Sequence, residues 1–177
     1  MTLAVGAYSS GSGVYYGAGY VRVFRIGSSG WQQIGGDLVG NAWSDRFGWS
    51  VSLSDNGNRV VVGSDESNGN SYSWGGEVQA FRWDGAGWLT EGQIINGAGN
   101  NSRIGIAVDS SSDGSMFIAG SYQDDMGGRA SVFRRVAAPG STSSEIGELS
   151  VDVLPVNDAP VLDTNSSPTL EPIAEDA

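Results

Sequence analysis

The feature that most constrains this chain is an internal repeat. When the 177-residue sequence is shifted by 57 residues without a gap, many glycine, aromatic and arginine positions coincide. The matched pairs include Gly6 and Gly63, Phe24 and Phe81, Trp31 and Trp88, Gly48 and Gly105, and Arg46 and Arg103. A third copy continues through Gly120 and is then five residues shorter. Self-similarity at a fixed period predicts a repeat architecture, in which each unit packs on the next.

Each repeat has the pattern of four short strands. Apolar and small residues alternate over 47–54, and the β-branched run 60–62 follows after a turn sequence, Asp55-Asn56-Gly57-Asn58. Further strands are predicted over 77–83 and 88–95. Since no window has the apolar spacing of a long helix, the sequence predicts an all-β fold. A unit of this size with four strands is typical of a β-propeller blade, so the chain holds about two and a half propeller-type blades.

The repeat also resembles a known family. FGWSVSLS at 47–54, VVGS at 61–64 and GGEVQAF at 75–81 look like an FG-GAP-type repeat, which forms the propellers of integrin α-chains and of many bacterial surface proteins. Copies start near 47 and 104, and 3–7 resembles the later part of a truncated first copy. The resemblance covers about residues 2–136. It implies a partial propeller over 1–138.

Calcium-binding members of that family carry several Asp and Asn residues in the turn between the first two strands. The corresponding turns here, 54–58 and 111–115, offer one aspartate each, Asp55 and Asp113. Calcium usually takes six to eight oxygen ligands. We therefore predict plain turns at these two places.

The C-terminal part of the chain differs in charge. Residues 1–139 hold 12 acidic residues and nine arginines, whereas 140–177 hold eight acidic residues and no basic one. The tail thus carries eight of the 11 net negative charges. This asymmetry predicts a second segment over 139–177, an extended acidic linker.

The tail resembles a second family. PVNDAPVL at 155–162 and IAED at 173–176 are similar to the junction of cadherin-like, VCBS-type repeats, over about 147–177. The resemblance implies calcium at this junction, with Asn157, Asp158 and Glu175 as candidate ligands. The alternative is a solvated acidic linker stiffened by its prolines.

Composition excludes several functions. The chain has no cysteine and no histidine, which excludes disulfides, thiolate nucleophiles, Cys/His zinc sites and His-based triads. The carboxylate pairs Asp65-Glu66 and Asp124-Asp125 lie in predicted loops, where carboxylates are usually solvated, so we predict no enzyme. Basic residues are nine arginines without lysine against a net charge of −11, which disfavours nucleic acid. No apolar run is long enough for membrane insertion.

Aromatic residues in loops are the best binding candidates. Tyr15, Tyr16, Tyr72 and Trp74 lie in Ser/Gly-rich segments, where they either bind a ligand or pack against the fold. We predict a non-enzymatic, extracellular adhesion or recognition segment of a larger repeat protein, with a protein or glycan on a cell surface as partner. The alternatives are a carbohydrate-binding appendage of a secreted polysaccharide-degrading enzyme and a purely structural spacer. An incomplete propeller leaves strand edges unpaired, so closure needs further blades or self-assembly.

Overall fold

The computed structural model describes residues 1–11, 15–68, 72–124, 127–137 and 144–151. These residues form thirteen strands in three antiparallel sheets, and the described part of the chain contains no helix. None of the sheets is closed. The prediction of an all-β fold is confirmed.

Sheet 1 contains the first four strands. They are β1 (Thr2–Gly6), β2 (Tyr20–Gly27), β3 (Gly30–Gln33) and β4 (Leu38–Val39). The second strand is central, because β1 pairs with one of its edges while β3 and β4 share the other.

Sheets 2 and 3 follow this pairing pattern with one strand added in front, but sheet 3 has a single last strand where sheets 1 and 2 have two. Sheet 2 consists of β5 (Ser50–Leu53), β6 (Arg59–Ser64), β7 (Glu77–Trp83), β8 (Trp88–Thr90) and β9 (Ile95–Asn96). Sheet 3 consists of β10 (Ala107–Ser110), β11 (Met116–Asp124), β12 (Gly127–Ala137) and β13 (Ser144–Val151). Strands β1, β6 and β11 occupy equivalent places in the three sheets, as do β2, β7 and β12. The start of the acidic segment, as β13, is therefore part of sheet 3.

Two predicted strands are shorter than expected. The strand predicted over 88–95 is divided into β8 and β9, both paired with β7, so sheet 2 has five strands instead of four. Gly92, with φ of 76°, interrupts it. The strand predicted over 47–54 begins only at Ser50, because Gly48 has φ of 87° and Phe47 forms a separate bridge with Gly19.

The two Asp-containing segments form the expected turns. In the first, the Asn56 side-chain oxygen accepts hydrogen bonds from the Ser54 hydroxyl and the Asn58 amide. In the second, the Asp113 carboxylate accepts from the Ser115 amide and the Ser111 hydroxyl, and these bonds lower its pKa to about 2. The turn oxygens are therefore engaged in holding the turns themselves.

Two hydrophobic cores lie between neighbouring sheets. The first, between sheets 1 and 2, is formed by Val21, Val23, Leu38, Phe47, Val60, Val62 and Phe81. The second, between sheets 2 and 3, is formed by Val61, Val78, Ala80, Ile104, Phe117, Ala119 and Phe133. Because the side chains of β6 alternate between the two cores, this strand is buried on both faces.

Glycines bring the sheets into direct backbone contact. A Cβ atom on Gly63 would overlap with the carbonyl oxygen of Gly105, just before sheet 3, and one on Gly6 would overlap with the carbonyl oxygen of Gly48, just before sheet 2. The two contacts are related by the 57-residue repeat. Ser50 strengthens the Gly63–Gly105 contact by donating its hydroxyl to Gly105 O at 2.7 Å.

We predict that Gly63→Ala destabilises the chain by about 1–3 kcal/mol, the usual cost of overpacking a close contact. The new methyl group meets rigid backbone, so neighbouring sheets must move apart. Chemical denaturation measures the change.

The matched control is Gly120→Ala, at the next equivalent position. Its nearest non-neighbouring atom would be a methyl carbon of Ile106 at 3.7 Å, an ordinary contact. Equal loss of stability in both variants would contradict the role given to the Gly63–Gly105 contact.

Candidate functional site

The long connections between strands lie at one end of the strands. The cross-strand pairs Ser50–Gly63, Ser64–Glu77 and Glu77–Asn96 show which strand termini lie together. They place the start of β5, the end of β6, the start of β7 and the end of β9 at the same end of sheet 2. In sheets 1 and 2 the connections that leave there are long, whereas the connections 54–58 and 84–87 at the opposite end are tight turns. We call the surface at this end of the strands the loop face. It is formed by 7–11, 15–19, 40–49, 65–68, 72–76 and 97–106.

Backbone hydrogen bonds hold neighbouring loops together in the same way twice. The amides of Ser44 and Arg46 donate to the carbonyl oxygens of Tyr16 and Gly17, both at 3.2 Å. The equivalent amides of Asn101 and Arg103 donate to Ser73 at 2.9 Å and Trp74 at 3.1 Å. Ser44, Arg46, Asn101 and Arg103 all have positive φ, a conformation that is uncommon outside glycine. The loop face is thus an ordered surface tied to the sheets.

Two repeat-related arginines hold one acidic pair. Arg46 Nη1 lies 3.4 Å from Asp65 Oδ2 and 3.0 Å from Glu66 Oε1. Arg103 approaches the same two carboxylates from the next sheet, at 3.8 Å and 3.5 Å. Asp65 is only 1% exposed, and burial raises its pKa while the charge of Arg46 opposes that rise. The cluster links three consecutive loops through charge.

Aromatic rings surround these arginines. The Arg46 guanidinium carbon lies 4.6 Å from the ring centroid of Trp49 and 5.5 Å from that of Tyr8, and these two rings meet edge to face at 4.8 Å. Arg103 lies 5.4 Å from the ring centroid of Trp74. Cation–π contacts of this kind fix both partners in place. They leave a substantial part of each ring exposed to solvent.

The four aromatic residues singled out from the sequence all lie on this face and are exposed. Tyr16 is the most open at 74%, Trp74 is 49% exposed, and Tyr15 and Tyr72 are exposed to a lesser degree. Their ligand-binding role remains a prediction. The candidate calcium ligands Asn157, Asp158 and Glu175 lie outside the described residues.

Sequence reasoning missed other members of the face. Tyr8, Trp43 and Trp49 are exposed there, and Arg46 and Arg103 organise it. The match of Arg46 with Arg103 at the repeat distance was visible, but a repeated arginine does not by itself indicate which carboxylate it binds. Asp65 and Glu66 were expected to be solvated, which is wrong for Asp65 because both arginines and the neighbouring loops cover it.

A buried polar network supports the loop face from below. Ser67 donates its hydroxyl to Glu77 Oε2 at 3.0 Å, and Gln79 donates to Glu77 Oε1 at 2.7 Å. Asp45 Oδ2 accepts from the Ala42 amide at 2.8 Å, and its charge contributes to raising the pKa of Glu77. Burial is the main cause of the raised pKa of both carboxyl groups.

No three carboxylates within the described ranges come together in a way that could hold a metal ion. In the same residues there is no helix that could cross a membrane. No known protein-family model matches the chain, and no curated protein matches it either.

We expect Glu77→Gln to flatten the dependence of stability on pH. A carboxyl group whose pKa is raised by folding binds more protons when folded, so the free energy of unfolding falls as the pH rises above the unfolded value of about 4. The amide substitution removes that titration while retaining an acceptor for Gln79. Denaturation at several pH values measures the slope.

Asp84→Asn serves as the control with the opposite sign. The amides of Ala86 and Gly87 lower the pKa of the exposed Asp84 carboxyl group, so its contribution to stability is lost at low pH. If wild type and Glu77→Gln lost stability equally as the pH rises above about 4, Glu77 would not be the group that titrates.

Proposed function

We propose that this chain is a non-enzymatic recognition segment of an extracellular repeat protein, and that its loop face binds a protein or glycan on a cell surface. The three sheets act as consecutive blades of a propeller of the FG-GAP type, followed by an acidic, cadherin-like junction. The observation that carries the proposal is the concentration of exposed aromatic side chains and two anchored arginines on the loop face.

The chemistry of the loop face suits recognition. Tyrosine and tryptophan offer large contact area with few rotatable bonds, and each carries a polar group for hydrogen bonding. Arg46 and Arg103 are partly exposed, so each retains surface for a partner while its carboxylate contacts fix it. Binding groups that are already ordered lose less entropy when the partner arrives.

The same face also favours the second candidate, a carbohydrate-binding appendage. Trp74 is the clearest feature, since half-exposed indole rings on rigid loops provide flat apolar area beside hydrogen-bonding groups. The Asn100 side chain accepts from the Ser73 amide at 3.0 Å and the Asn68 side chain accepts from the Trp74 amide at 2.9 Å, which orients this loop. Because the same loop face suits a polysaccharide and a cell-surface protein, a binding experiment is needed to decide which of the two is the ligand.

A glycan array and a cell-binding assay on the purified chain test the proposal. Binding to cells or proteins alone supports adhesion, and selective binding of one polysaccharide supports the appendage. Absence of any ligand in both assays would leave the chain a structural spacer and contradict the proposal. Hydrolysis of standard glycoside or ester substrates would contradict its non-enzymatic nature.

For whichever ligand binds, we expect Trp74→Ala to weaken binding by about 30-fold, which corresponds to the roughly 2 kcal/mol of an aromatic hot spot. Leu89→Ala is the control, since Leu89 is similarly exposed but lies on β8, near the end of sheet 2 that is opposite to the loop face. Equal affinity of the Trp74 variant and the wild type would place the ligand elsewhere.

A further inference from the structure

The contact between sheets is made by the same sequence positions each time. Sheet 2 meets sheet 1 through Val60, Val62 and Phe81, and sheet 3 meets sheet 2 through the equivalent residues Phe117, Ala119 and Phe133. On the receiving side, sheet 1 offers Ala4, Val21 and Val23, and sheet 2 offers the equivalent Val61, Val78 and Ala80. Each sheet therefore has a leading face, which packs on the preceding sheet, and a receiving face, which accepts the next one.

The leading face of sheet 1 has the same apolar character but is open. Leu3 and Val5 stand where sheet 2 has Val60 and Val62, and Leu3 pairs in register with Phe24 as Val60 pairs with Phe81. Leu3 is 46% and Val5 is 44% exposed, whereas Val60 and Val62 are fully buried. Leu3 and Val5 are thus apolar residues at positions that are buried in sheet 2, but no described residue covers them in sheet 1.

The receiving face of sheet 3 is open in the complementary sense. Ile118 stands where sheet 2 has Val61 and pairs in register with Val132, as Val61 pairs with Ala80. Ile118 is 40% exposed, whereas Val61 is fully buried. A cleft of ≈ 250 Å³ beside it is lined by Asp109, Met116, Ile118 and Val132 among others, and can accept an apolar side chain.

We propose that the receiving face of sheet 3 in one copy of this chain binds the leading face of sheet 1 in a second copy, in the register by which sheet 2 receives sheet 3. In this arrangement Leu3 of the second copy takes the place that Phe117 has between sheets 2 and 3, and it packs against Ile118. The proposal is independent of the ligand on the loop face.

We infer that the partner is a second copy because a leading face and a receiving face of this chain already fit each other at the junctions between its own sheets. The leading and receiving faces belong to one repeat and complement each other at two internal junctions. A contact between two different faces of the same chain is heterologous, so after pairing one copy keeps an open leading face and the other keeps an open receiving face. Association therefore continues into a ring or a chain of copies.

Two single variants test this pairing. Val5→Arg places a charge on the leading face, and Ile118→Arg places one on the receiving face. In sedimentation velocity, we expect the wild type to form assemblies larger than a monomer and each variant alone to be monomeric. Ile94→Arg is the matched control, since Ile94 is also exposed but lies between β8 and β9, and it should assemble like the wild type.

Mixing the two variants is the decisive step. Each retains the face that the other has lost, so an equimolar mixture is expected to form a heterodimer with one intact junction and nothing larger. A monomeric wild type would overturn the proposal. Assembly of either variant alone, or a mixture that stays monomeric while both variants show wild-type circular dichroism, would overturn it as well.

Cross-linking provides a second measurement that does not depend on disrupting the face. The chain has no native cysteine, so Leu3→Cys and Ile118→Cys are unique labels. We expect the mixture of the two to form a mixed disulfide much faster than either forms one with Ile94→Cys. Equal rates in these pairings would contradict the proposed register.

Discussion

The structure depends on the close approach of backbone to backbone between neighbouring sheets. Gly6 against Gly48 and Gly63 against Gly105 leave no room for a side chain, and this distance lets apolar residues from both sheets meet in a common core. A valine at either position would hold the sheets apart and open the core to water. The same spacing aligns the loops of successive sheets, on which the candidate site is built.

The loop face follows from this alignment. When sheet 2 and sheet 3 stack at the glycine contact, Arg46 and Arg103 arrive on the two sides of the acidic pair Asp65-Glu66. Each arginine then contacts an aromatic ring of its own or the preceding loop, Trp49 or Trp74. Charge neutralisation beneath the surface and exposed rings above it are what a binding surface on a rigid scaffold requires.

Much of the architecture could be predicted from the sequence, because it rests on periodicity. Alternation and turn residues located the strands, and the predicted span 77–83 is identical to β7. The interruption between β8 and β9 was not predicted: Gly92 was visible in the sequence, but its positive φ and the ion pairs of the neighbouring Glu91 with Arg59 and Arg135 were not. The candidate site was predicted in part: exposure of Tyr16 and Trp74 follows from their polar loops, whereas the pairing of Arg46 with Asp65 is long-range and left no local pattern.

The distance between neighbouring sheets in solution tests the glycine contacts most directly. In a nuclear Overhauser spectrum of the isotope-labelled chain, we expect a cross-peak between the α protons of Gly63 and Gly105, and a second between those of Gly6 and Gly48. In both pairs the two glycines are far apart in sequence, and one lies in a strand while the other lies just before the first strand of the next sheet. If the cross-strand peaks within sheet 2 were present while both glycine peaks were missing, the sheets would not stack as described, and the shared cores and the loop face would lose their basis.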